Sequence, residues 1–245
     1  IKQCLVGSEM CIRDSIEEGI NDPAIFKAVF LAGGPGSGKS FIVGKTGLTS
    51  LGFRVVNSDT AFERAMKDAK LVMNPDNIFS YKGQKIRNKA KELTAKQQTT
   101  YLKGRLGLVI DGTGRDAMKI LDQKDKLEQL GYSTAMIFVN TDKETALRRN
   151  SERARKLDPE EISTLWDNVQ KNIGNYQWTF KNRLIIVDNS DGKDYTKVST
   201  RAYKIMKKFA EEEPRNPIAK KWIEHEKSKW KTLKILKEQL YLSLH

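Results

Sequence analysis

One junction decides the architecture of this chain. The apolar run Ala28-Val-Phe-Leu-Ala32 stops at glycines, and Gly33-Gly34-Pro35-Gly36-Ser37-Gly38-Lys39-Ser40 leads into an amphipathic stretch from Lys39 to about Ser50. These eight residues fit G-x-x-x-x-G-K-[ST] in the order strand, loop, helix that a phosphate-cradling loop requires. Backbone N–H groups of Gly34 to Ser40 then converge on an anion at a positive helix N-terminus, and glycines let the chain wrap it closely. Lys39 reaches the terminal phosphates of a nucleotide, and the Ser40 hydroxyl completes the coordination of Mg²⁺. The set expected to hold ATP runs from Gly33 through Phe41.

Four further apolar runs lie at Phe53–Val56, Leu106–Ile110, Thr134–Val139 and Leu184–Val187. Such runs suit strands covered on both faces. Helical patterns separate them at about Thr60–Ala69, Gly83–Leu102, Asp116–Leu130, Lys143–Arg155 and Pro159–Ile173, with a covering helix from Tyr195 to Glu212. The alternation predicts an α/β domain, a three-layer sandwich around a central, mostly parallel five-stranded sheet. Glu211-Glu-Glu-Pro214-Arg-Asn-Pro217 reads as a break before a basic helix from Ile218. The expected domains are 16–212, with a lid at about 148–158, and an extension at 213–245.

Residues 1–15 are expected not to be native. Leu5 through Asp14 resemble the conceptual translation of a transposon-end sequencing adapter, and both cysteines, Cys4 and Cys11, lie in that stretch. Two Cys and two His in 245 residues exclude a disulfide-built fold and a Cys/His zinc site. No run reaches the roughly 18 apolar residues of a membrane span, and the expected location is the cytoplasm of a bacterial or phage-infected cell.

The strand ends carry the chemistry, because α/β sheets bind ligands at their carboxyl edge. The second strand delivers Asn57-Ser58-Asp59-Thr60, in which Asp59 is placed to take the proton of an acceptor hydroxyl; Asp59 or Thr60 would also serve as a helix cap. The third delivers Asp111-Gly-Thr113-Gly-Arg115: a carboxylate for Mg²⁺ or the acceptor hydroxyl, a hydroxyl, and a cation for an acidic group of substrate. The alternative has Asp111 capping the next helix and Arg115 as surface charge. Asn140-Thr-Asp-Lys143 has the wrong order for guanine recognition and reads as a capped helix start. After the fourth strand, Arg148, Arg149, Arg153 and Arg155 crowd a short segment, which suits a lid over a triphosphate or a solvated basic helix.

On the phosphate loop, Asn57-Ser-Asp59, Asp111-Gly-Thr113-Gly-Arg115 and Arg149-Asn-Ser-Glu-Arg153, the stretch from Ala28 to Asn189 resembles the zeta-toxin and polynucleotide-kinase branch of the P-loop kinases. The resemblance implies an ATP-dependent kinase with Asp59 as base, Arg153 on the ATP phosphates beside Arg149, and Asn189 where related kinases pass the adenine. Zeta toxins carry Glu where this chain has Asp111. Polynucleotide kinases carry an arginine at the position of Phe62, with Arg64 nearby as a substitute. The acceptor is then a phosphate-bearing molecule, a nucleotide sugar or a nucleic-acid 5′-hydroxyl; a nucleic-acid-binding ATPase is the alternative of another class.

Charge bears on that choice. The chain carries 44 Lys and Arg against 31 Asp and Glu, a net +13. From Ser80 to Arg105 eight cations face Glu92 alone, so more than half of the excess lies between Asp59 and the third strand. Clustered Lys and Arg supply phosphate affinity, although Tyr81 and Tyr101 are the only aromatics there.

Overall fold

In the computed structural model, residues 20–152 and 157–243 are described. Five strands, β1 (Lys27–Ala32), β2 (Arg54–Val56), β3 (Leu108–Asp111), β4 (Ser133–Asn140) and β5 (Leu184–Asp188), form one sheet in the order β2-β3-β1-β4-β5. All four pairings are parallel, with Leu31 opposite both Asp111 and Ile137. The expected five-stranded α/β sandwich is therefore present.

Position in the sheet explains the burial of each strand. β1 is buried at every residue and β4 at all but its two ends. The outer strands β2 and β5 expose Val55 and Ile186, so continuous apolar runs are fully covered only at the centre of the sheet. Alternate residues of β1 feed opposite faces. Val29 and Leu31 join Ile42 of α1 (Lys39–Lys45) and Met206 and Phe209 of α9 (Tyr195–Glu211). Ala28 and Phe30 join the other layer, built from α5 (Ala117–Gln129), α7 (Pro159–Lys171) and α8 (Ile173–Phe180).

Between β2 and β3 the chain forms α2 (Ser58–Asp68), α3 (Pro75–Phe79) and α4 (Tyr81–Lys103). Their own small core holds Phe62, Met66, Ile78 and Ala90. Between β4 and β5, α6 (Lys143–Ser151) precedes α7. Asp142 caps α6, accepting from Thr145 N at 2.6 Å, as its motif suggested.

Local chemistry moves several expected boundaries. α1 ends at Lys45, because Thr46 Oγ1 turns back to Val43 O and Gly47 takes a left-handed φ of 57°. Asn74 caps the unexpected α3, and Ser80 starts α4 by accepting from Gly83 N at 3.0 Å. α8 is a second helix where one was expected to end.

The C-terminal helix α10 (Pro217–Ser243) begins on the domain itself. Trp222 packs edge-on against Phe26 at 5.5 Å between ring centroids, and Asn216 Nδ2 donates to Glu128 O. Among the described residues no helix is long and apolar enough to cross a membrane.

Candidate active site

The phosphate loop joins β1 to α1 at the carboxyl edge of the sheet, between the ends of β3 and β4. Its path is enforced by contact. Gly36 has φ +74°, and a Cβ there would lie 2.8 Å from the Ala146 carbonyl oxygen; one at Gly38, with φ +81°, would run into the Asn189 amide. Asn189 Nδ2 donates to Ser37 O at 2.8 Å, so this buried residue braces the loop. The residue expected near the adenine thus spends its amide nitrogen on the backbone of the phosphate loop. Lys39 Nζ donates to Gly33 O at 2.6 Å across the mouth of the loop. Ser40 and Phe41 are exposed at the start of α1, and Pro35 is half-buried.

The loop is stitched to β3: Gly112 N donates to Leu31 O and Gly33 N to Thr113 O. These bonds bring Asp111 to the same edge. Asn57 performs two tasks there, accepting from Asp59 N at 2.7 Å as the cap of α2 and donating from Nδ2 to Asp111 Oδ2 at 2.7 Å. The cap expected of Asp59 or Thr60 thus belongs to Asn57, and Asp59 is left exposed in the first turn. Asp116, rather than Asp111, caps α5.

Asp111 Oδ1 is buried and has no hydrogen-bond partner among the described residues. Burial raises the Asp111 carboxyl above the ordinary carboxylate range; among charges, Lys39 opposes this most and Asp59 reinforces it. Two carboxylates and the loop lysine therefore share one electrostatic neighbourhood.

Beside them a cavity of about 310 Å³ opens between the ends of β1 and β3 and the inner face of α5. Asp111, Thr113 and Arg115 line it, and α5 adds Lys119 and Gln123, which the strand-end motifs could not reveal. Thr113 and Arg115 are exposed at the cavity. Arg64 is exposed on α2, two positions from buried Phe62 and hence on a different side of the helix. The cation beside the Phe62 ring is Arg87 of α4, at 5.7 Å.

On the opposite flank Arg149 Nη1 donates to Gly36 O at 3.3 Å and Nη2 to Asp191 Oδ1 at 2.9 Å, which sets Arg149 against the loop. Arg148 pairs with the same Asp191 and with Glu152. Arg153 lies outside the described residues. The ends of that stretch are tied by Asn150, which donates to Leu157 O and accepts from Leu157 N. Asp191 was missed because only folding brings it to Arg148 and Arg149.

The parallel sheet, the loop after its central strand and the flanking helices define a P-loop kinase-type fold. Residues 29–172, more than half of the chain, match the family AAA_33, an AAA domain, and the chain belongs to it. No curated protein sequence matches the chain. Among solved structures it is similar to AvrRxo1-ORF1:-ORF2 with ATP, at 12% identity and a TM-score of 0.51, over 76% of this chain and 64% of that one. It is also similar to the PezAT chromosomal toxin–antitoxin system of the human pathogen Streptococcus pneumoniae, at 16% identity and a TM-score of 0.49, over 92% and 97%. Shikimate kinase from Aquifex aeolicus aligns at 17% identity and a TM-score of 0.44, over 75% and 98%.

Proposed function

We propose that this protein is a kinase that transfers the γ-phosphoryl group of ATP to a hydroxyl of a phosphate-bearing acceptor of the nucleotide-sugar class. The observation that carries the reading is that Asn57 ties Asp111 at the end of β3 to the helix start that bears Asp59, beside the phosphate loop and a cavity lined by Arg115 and Lys119. The loop amides and Lys39 hold the triphosphate, and Arg149 lies where it can leave Asp191 for a phosphate oxygen. The acceptor hydroxyl oxygen forms its bond to the γ-phosphorus as the bond to the β,γ-bridging oxygen breaks. The hydroxyl proton passes to Asp59, and ADP leaves with the bridging oxygen.

The residues fit Mg²⁺. Asp111 Oδ1 is a buried oxygen without a hydrogen-bond partner among the described residues, and Ser40 is exposed at the loop. Among the described residues no cluster of three carboxylates, His or Cys could hold a metal by itself, which suits an ion held by one or two protein oxygens together with phosphates and water. When bound, the ion neutralises charge on the phosphates.

A polynucleotide 5′-hydroxyl is the second acceptor reading, favoured by the basic surface of α4. Labelled ATP offered with nucleosides, nucleotide sugars and 5′-hydroxyl oligonucleotides separates the two. Asp59→Asn is expected to lower transfer by roughly 10²- to 10⁴-fold while ATP still binds. Undiminished transfer would remove Asp59 from the mechanism. Oligonucleotide-stimulated ATP hydrolysis without a labelled acceptor would establish the ATPase alternative instead.

A further inference from the structure

We propose that the outer face of α4 binds single-stranded nucleic acid, a function that does not depend on which acceptor the cleft phosphorylates. Elsewhere some lysines are paired, Lys124 with Glu128, Lys126 with Asp122, Lys143 with Asp167 and Lys207 with Glu211, while others, such as Lys67, Lys119 and Lys204, make no ion pair among the described residues. On α4, Lys82, Lys85, Lys89, Lys91, Lys96 and Lys103 make no ion pair among the described residues, although all are exposed. Six like charges on one helix repel one another, and an external polyanion relieves that repulsion.

Spacing turns these charges into a track. Lys82, Lys85, Lys89 and Lys96 fall three, four and seven positions apart, which holds them to one stripe of the helix over about 21 Å of rise. The stripe borders an open groove of about 520 Å³, lined by Tyr81, Gln84, Lys85, Asn88, Lys89 and Glu92. Glu92 is the one acidic group in it.

Aromatic rings mark the head of the groove. Tyr81 is 85% exposed and Phe79, just before it, 70%. A large ring left in water at the start of a basic groove is a platform on which an unpaired base stacks while lysines follow the backbone. The exposed amide of Asn88 and the carbonyl oxygen of Gln84, whose Nε2 donates to Ile78 O at 2.7 Å, offer partners to base edges. A lipid surface would call for a continuous apolar face, which these polar side chains interrupt.

The test is fluorescence anisotropy of the full chain, without ATP, against a labelled single strand of about 16 nucleotides over a salt series. A duplex of the same sequence and phosphatidylcholine–phosphatidylserine vesicles form separate arms. The single strand is expected to bind most tightly. The triple variant Lys82→Glu, Lys85→Glu, Lys89→Glu should weaken binding by about tenfold or more and flatten the salt slope by about 2. Tyr81→Ala should weaken binding about fivefold without changing that slope. Lys220→Glu, Lys221→Glu, Lys227→Glu on α10 makes the same charge change at exposed positions and should cost far less. The proposal is overturned if both triple variants lose equally, if Tyr81→Ala has no effect, or if duplex or vesicles bind as tightly as the single strand. Unchanged thermal midpoints confirm that each variant is folded.

Discussion

The side-chain amide of Asn57 donates to Asp111 Oδ2 at 2.7 Å, tying the end of β2 to the end of β3. The same side chain caps α2, so one residue sets the spacing between the helix that carries Asp59 and the strand that carries Asp111. Asn57→Ala should cost about 1 kcal/mol for the cap and lower the thermal midpoint by about 2–4 °C. Asn57→Asp keeps a capping oxygen but sets a third carboxylate against Asp111. It should therefore retain more stability than Asn57→Ala while losing at least as much transfer activity, as denaturation and turnover measured on both variants will show.

Asp111 pays for its position in stability. Burial raises its pKa, so the folded protein binds this proton more readily than the unfolded chain does. Stability from this group is accordingly lost as pH rises from the unfolded carboxylate pKa through the higher folded one. Asp111→Asn should raise the thermal midpoint at neutral pH and abolish most transfer. The gain should shrink on acidification, where the wild-type carboxyl is already neutral.

Asp191 occupies both arginines that flank the loop, and hydrogen bonds from Arg148 and then Arg149 hold its carboxyl below the usual range. An arriving triphosphate competes with it for Arg149. Asp191→Ala should tighten ATP binding about two- to fivefold at low salt, with the advantage fading as salt screens these exposed charges. Calorimetric titration of ATP at two ionic strengths measures the change.

Lys27 opens β1 at the edge of the sheet away from the loop. Its buried ammonium has no hydrogen-bond partner among the described residues and lies 5.3 Å from the Phe209 ring. Burial lowers its pKa to about 8, with Glu212 opposing and Arg183 and Arg215 adding to the shift. The unfolded chain then binds this proton more tightly, so stability rises as pH climbs from about 8 toward 10.5. Lys27→Met should gain about 1–2 kcal/mol at pH near 7, the loss of the cation–π contact offsetting part of the relief. Chemical denaturation across that pH range should show the gain closing.

The contiguous motifs were legible before folding: the phosphate loop, Asp59 and Asp111 each end or follow an apolar strand, and parallel order carries such ends to one edge. Relations across the chain were not. Asn57 and Asp111 lie 54 positions apart, and Arg149 and Asp191 42, so no local pattern announces either pair. Short helices escaped for another reason. α3 has five residues and α8 eight, too few turns for an apolar period to stand out. Lys119 was hidden because its contribution depends on which face α5 turns to the cavity.

The strand order β2-β3-β1-β4-β5 puts the loop-bearing strand in the middle. The α2–α4 segment reaches the cleft from the β3 side of the loop, and α6 and the residues after β5 reach it from the β4 side. Asp59, Asp111 and the α2–α4 hairpin form one bank; Arg149, Asn189 and Asp191 form the opposite one. The banks also meet beyond the loop, where Asn172 Nδ2 and Tyr176 Oη donate to the Gly114 carbonyl, so the loop after β3 is held by elements from both halves of the chain. A chimera that exchanges the α2–α4 hairpin should keep the cavity beside Asp111, whose walls come from β1, β3, the loop after it and α5.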